Sequence, residues 1–160
     1  MKKSIKYLIV FLILTSFNLN FSYAAMSVSS SNDGESLYKQ GTKLVYRAKK
    51  LEKKNKTEKA KKLYLKAYDK FDKAYAKDKQ NADILNYLGY TLRKTGNLKK
   101  AEIYYLKGLE LDAGHLGINE YLGELYVQTN RIELAKNRLD VLFGCKCEEY
   151  EELKELIEKN

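Results

Sequence analysis

From Ser36 to the C-terminus, apolar residues recur at intervals of three and four, the period of an amphipathic helix, and short polar turns break the pattern at regular distances. Leu85, Leu88 and Leu92 share one face of a helix, with Gly89 on the same face as room for a close neighbour. Thr95-Gly96-Asn97 ends that helix at a residue able to take positive φ. Ala101, Tyr105 and Gly108 then line the inner face of a second helix. A turn this short between two helices predicts an antiparallel hairpin. Shifting Ala82–His115 by 34 residues lays Leu88-Gly89 on Leu122-Gly123, Leu92 on Tyr126, Gly96-Asn97 on Asn130-Arg131 and Ala101 on Ala135. Tyr105 falls on Leu139 and Gly108 on Leu142 at the same offset, so the hairpin repeats.

An earlier segment, 36–80, follows the same plan loosely. Leu44, Ala48 and Leu51 have first-helix spacing, Asn55-Lys56-Thr57 is the turn with Thr57 as N-cap, and Ala60, Tyr64 and Ala67 match the second helix. Ala60 to Ala101 is 41 residues rather than 34, and Ala67, Phe71 and Ala74 repeat the small–aromatic–small pattern seven residues on. The excess of two turns predicts a lengthened second helix, from Thr57 to about Ala76. At the other end, Tyr150, Leu153, Leu156 and Ile157 make one apolar stripe on an acidic helix over 148–160, suited to closing the open end of a repeat array.

Leu88-Gly89, Ala101 and Tyr105, with Leu122-Gly123, Tyr126 and Ala135 one repeat later, resemble the tetratricopeptide repeat signature. Leu85 stands in place of the usual Trp, Leu92 in place of an aromatic, and Ala113 in place of Pro. The run from Leu116 to Tyr126, with that from Cys147 to Lys154, is similar to small exported tetratricopeptide proteins of alphaproteobacteria. The resemblance implies an all-α, right-handed solenoid of about three hairpins (36–80, 82–115 and 116–147) and a capping helix. It also implies a non-catalytic scaffold that binds a protein or peptide partner on its concave face. The family's ligand-contact positions fall on Val45, Lys49 and Glu52, on Asp83, Asn86, Tyr90, Arg93 and Lys94, and on Glu120, Glu124 and Val127. Asn86 would read backbone amides, Tyr90 would stack and Arg93 would take a carboxylate. The family's clamp for a C-terminal carboxylate is not expected, because Val45, Gly117 and Tyr121 stand where it needs Lys or Arg.

The N-terminus is of another kind. Lys2, Lys3 and Lys6 precede an apolar run over 7–17, and small residues at Ser22 and Ala24 suit a signal peptidase. Residues 1–24 are predicted to be a signal peptide and 25–35 a disordered linker. The expected location is the periplasm of a Gram-negative cell, with retention on the inner membrane by an uncleaved signal as the alternative. Loss of three lysines lowers the net charge from +9 to +6, with the remainder unevenly spread. Lys39–Lys79 carries 16 basic and 5 acidic residues, whereas the chain from Asn81 onward carries 11 and 14. Lys59, Lys62, Lys66, Lys70, Lys73 and Lys77 form one helical stripe that could meet anionic lipid or acidic proteins, although such runs are most often simply solvated. Export argues against a nucleic-acid partner.

Cys145 and Cys147 could form a disulfide within the chain or between chains in an oxidising compartment. The single His115 falls in a turn, too few ligands for a metal site, and no cofactor motif, catalytic triad or phosphate loop is present.

Overall fold

A computed structural model describes the backbone of residues 19–160, with side chains described from 33 onward. The described residues form seven helices: α1 (Leu19–Glu52), α2 (Thr57–Lys77), α3 (Ala82–Lys94), α4 (Leu98–Leu111), α5 (Leu116–Gln128), α6 (Ile132–Leu142) and α7 (Glu148–Glu158). Helices α1/α2, α3/α4 and α5/α6 pair as hairpins, and α7 packs against α5 and α6. The first helices of successive hairpins also touch, α1 on α3 and α3 on α5, forming the inner layer of an all-α solenoid.

The turns inside the hairpins share one geometry. Asn55, Gly96 and Asn130 take φ of 56°, 92° and 58° at equivalent positions. The next amide closes the turn in each case: Lys56 N–H donates to Leu51 C=O (2.9 Å), Asn97 to Leu92 (2.9 Å) and Arg131 to Tyr126 (2.8 Å). Helix starts are more varied. Asn81, Asn97 and His115 accept with their side chains from Ile84, Lys100 and Ile118 N–H. Thr57, expected as an N-cap, is instead the first residue of α2, and the cap position falls to Lys56 without a side-chain bond.

Inside each hairpin a small residue faces a large one. A Cβ on Gly89 would lie 2.5 Å from the Tyr105 ring, and one on Gly41 would lie 2.6 Å from the Phe71 ring. Ala48 and Tyr64, both fully buried, hold the positions of Gly89 and Tyr105 in the first hairpin. Leu88, Ala101, Leu122 and Ala135 are also fully buried, and Tyr126 nearly so. In the last hairpin the pattern changes partner. Leu153 of α7, not Leu139 of α6, fills the notch at Gly123, where an added Cβ would lie 2.5 Å from Leu153 Cδ2. Helix α6 has 11 residues against 14 in α4, and the closing helix supplies the missing apolar bulk.

The expected linker is corrected. Residues 25–35 continue α1 as helix, and the candidate signal peptide lies mostly outside the described residues, with 19–24 also helical. Lengthening α2 by two turns would leave Phe71 and Ala74 uncovered unless its partner lengthens too. Small residues at Gly34, Gly41 and Ala48, seven apart, keep one face of α1 against α2; a Cβ added to Gly34 would lie 3.2 Å from the Lys77 Cβ. No proline interrupts this stretch.

Gly89→Ala is expected to destabilise the fold by about 1–3 kcal/mol through overpacking against Tyr105. Gly114→Ala should be near neutral, since the added Cβ would meet only Asp112 Oδ1, at an ordinary 3.7 Å. Urea unfolding of the two variants checks the difference.

Candidate functional site

The inner helices bring five tyrosines to the concave side. Tyr38 and Tyr46 come from α1, Tyr87 and Tyr90 from α3, and Tyr121 from α5. Tyr38 meets Tyr87 edge-on at 5.6 Å, and Tyr90 tilts against Tyr121 at 4.9 Å. Lys49 Nζ lies 5.1 Å from the Tyr90 ring centre and 5.9 Å from that of Tyr121. Burial pushes the hydroxyl pKa values of Tyr90 and Tyr121 up, so both stay neutral.

At the centre Arg93 is already engaged. Its Nη2 lies 2.5 Å from Glu124 Oε2, and its guanidinium sits 5.7 Å and 5.6 Å from the rings of Tyr90 and Tyr121. Lys94 pairs with Glu52 at 2.9 Å, and Glu52 also accepts from the Tyr64 hydroxyl at 2.8 Å. These contacts correct the contact set expected from the sequence. Lys49 and Asp83 are exposed, but Asn86, Tyr90 and Glu120 are buried, and Arg93 faces a carboxylate of its own chain. The cause is the neighbouring repeat: Tyr121 and Glu124 of α5 lie against the surface that α3 alone would expose.

Two cavities open on this side. The smaller, about 170 Å³, is lined by Thr42, Val45, Tyr46, Lys49, Tyr87, Tyr90 and Tyr121. The larger, about 470 Å³, lies between the starts of α3 and α5 and reaches Tyr38 and Glu149. It shares Tyr87 and Tyr121 with the first, so the two form one groove. Its other walls include Asp83, Asn86, Asp112, His115, Gly117 and Glu120. His115 is more than a turn residue: its Nδ1 accepts from Ile118 N–H (3.2 Å), while its Nε2 lies 3.2 Å from Asp83 Oδ1.

Glu120, Glu124 and Glu152 bring carboxyl oxygens within 4.8 Å of one another. Arg93 neutralises Glu124, and burial, a hydrogen bond with Glu152 and nearby carboxylates push the Glu120 pKa up to about 9. A carboxyl that keeps its proton at neutral pH explains how three acids share this space.

Away from the groove, Lys59, Lys62, Lys66, Lys73 and Lys77 are exposed along α2, with Lys70 half-buried. Cys145 and Cys147 are joined by a disulfide after α6, with Cα atoms 5.2 Å apart. Gly144 and Lys146 on that loop take φ of 86° and 53°.

The family profile of the tetratricopeptide repeat matches residues 82–115, the α3/α4 hairpin. Residues 82–115 are therefore a tetratricopeptide repeat. No curated protein sequence matches the chain significantly. Among solved structures, this tetratricopeptide-repeat fold is similar to the Arabidopsis OM64 TPR domain (TM-score 0.64, 14% identity), covering 82% of this chain and 98% of that one. It is also similar to the first TPR of Spaghetti (RPAP3) bound to the HSP90 peptide SRMEEVD (TM-score 0.53, 18% identity; 76% and 93% covered). A third likeness is the Yersinia enterocolitica type III secretion translocator chaperone SycD (TM-score 0.53, 17% identity; 75% and 89% covered). At these identities the likeness concerns the fold.

Because the folded pKa of Glu120 lies above its unfolded value of 4.5, the unfolded chain releases this proton while the folded chain keeps it. Stability attributable to Glu120 is therefore present below about pH 4.5 and is lost progressively as pH rises toward about 9. Glu120→Gln, which mimics the protonated acid, should raise Tm relative to wild type at pH 8 and leave it unchanged at pH 4, as read by thermal melts.

Proposed function

We propose that this protein is a non-catalytic adaptor that binds a segment of a partner protein in the tyrosine-lined groove of α1, α3 and α5. The observation that carries this reading is the groove itself: two joined cavities floored by tyrosines, with Lys49 exposed at one end and carboxyl groups at the other. Aromatic rings give large contact area at low entropic cost, which suits an extended peptide. The peptide held by the Spaghetti TPR domain supports this use of the fold. The mode of recognition differs from the expectation that Arg93 takes a partner carboxylate, since Glu124 already occupies it. The sequence of residues 1–24 supports export to the periplasm. Among the described residues no helix is long and apolar enough to cross a membrane.

A second reading rests on the α2 stripe. Of its six lysines only Lys73 has a carboxylate within 4.0 Å among the described residues, that of Asp69. So much uncompensated charge on the outer layer could hold the protein at an anionic lipid surface. Such contact would weaken steeply with salt, whereas docking on tyrosines would not.

Affinity capture from fractionated native cells tests both readings. Tyr46→Ser/Lys49→Ser alters exposed groove residues and should lose a partner that wild type retains at high salt, with the protein recovered in the periplasmic fraction. Identical capture by this variant would contradict groove binding. Loss only when the α2 lysines are changed, and only at low salt, would favour the stripe.

A further inference from the structure

The disulfide between Cys145 and Cys147 spans a single residue, Lys146. A cross-link of that span ties no two helices together, and the shortest closed loops gain least in stability from one. Its setting suits exchange instead. Cys145 is exposed, whereas Cys147, at the N-cap of α7, is partly buried. Phe143 beside them is 79% exposed, with its ring edge-on to Tyr150 at 6.2 Å. Lys146 holds φ at 53°, a conformation that a residue with a side chain rarely adopts and that persists only where its surroundings impose it. Here the surroundings are the ring that its two neighbours close. Opening the ring lets Lys146 relax, while Leu142 and Leu153, both fully buried, keep α6 and α7 in place.

We propose that Cys145–Cys147 is a thiol–disulfide exchange site that takes two electrons from a dithiol presented by a partner protein. The site goes beyond the adaptor reading and does not depend on the groove. A partner thiolate attacks Cys145 Sγ, the accessible sulfur; the Cys145–Cys147 bond breaks and Cys147 leaves as a thiolate. The carboxylates of Glu148, Glu149 and Glu151 crowd the first turn of α7, so this thiolate takes a proton from water rather than persisting. A second thiolate of the partner then attacks the partner's own sulfur in the mixed disulfide, and Cys145 is released and protonated in turn. The partner is oxidised to a disulfide, the chain is reduced to two thiols, and the protons lost by one equal those gained by the other. Phe143 offers the partner an apolar contact beside the sulfur under attack.

Glutathione serves as the probe. Equilibrating the full chain with reduced (GSH) and oxidised (GSSG) glutathione and alkylating the free thiols reads the reduced fraction by mass spectrometry. Wild type should pass reversibly from no alkylated cysteine to both, with unchanged helical circular dichroism. Lys146→Val and Lys146→Asn remove the same charge, but Asn accepts positive φ whereas β-branched Val resists it. The value of [GSH]²/[GSSG] at half-reduction should therefore be about tenfold lower for Lys146→Val than for Lys146→Asn, in keeping with the cost of a left-handed residue. Cys147→Ser should take up glutathione from GSSG on Cys145 several-fold faster than Cys145→Ser takes it up on Cys147. Circular dichroism confirms that each variant is folded. A disulfide that resists glutathione until the helices melt, equal midpoints for the two Lys146 variants, or equal uptake by the two cysteine variants would overturn the exchange site.

Discussion

The close approach of paired helices, small residue against ring, governs the rest of this structure. Gly89 lets Tyr105 lie on the backbone of α3, Gly41 does the same for Phe71, and Gly123 receives Leu153. Each contact fixes the register of two helices at once, because a ring that fills a glycine notch cannot slide by a turn without leaving a void and making a clash. With the hairpins locked, the inner helices stack α1 on α3 and α3 on α5. That stacking brings Tyr87, Tyr90 and Tyr121 together and creates the groove.

The same constraint explains both the regular and the irregular repeats. In the middle hairpin the notch and its ring lie within one 34-residue unit. The first hairpin carries a second notch-and-ring pair seven residues further from the turn, so both of its helices grow. The last hairpin lacks a ring of its own at Leu139, and α7 closes the array by supplying Leu153. Capping is thus part of the core and not an addition to it. On the inner surface, packing of α5 against α3 has a second effect: it turns residues that would face a ligand into an internal network. Arg93 is neutralised by Glu124, and Glu120 retains a proton.

Much of the fold is legible in the sequence because its signals are local. The spacing of Leu88-Gly89 and Leu122-Gly123, the turns at Asn55, Gly96 and Asn130, and the extra seven residues in α2 all lie within single segments. What is not legible depends on contacts between segments. Residues 25–35 look like a polar linker when taken alone; their helical continuation becomes intelligible only when Gly34 and Gly41 are set against Lys77 and Phe71. Ligand positions carried over from the family take no account of the next repeat or of α7, so they do not anticipate the burial of Asn86, Tyr90 and Glu120. The larger cavity draws on α1, α3, α5 and α7, and no short motif marks it. The seven-residue spacing of Gly34, Gly41 and Ala48 is the one available signal for the longer first helix.

Site-specific photocrosslinking in living cells tests the central claim, that the concave groove is where this protein meets its partner. A photoreactive residue at Tyr46, 61% exposed on the inner layer, should yield a discrete crosslinked species. The same group at Leu65, 53% exposed on α2 of the outer layer, should yield none. Crosslinks of equal yield at both positions, or at Leu65 alone, would contradict the account.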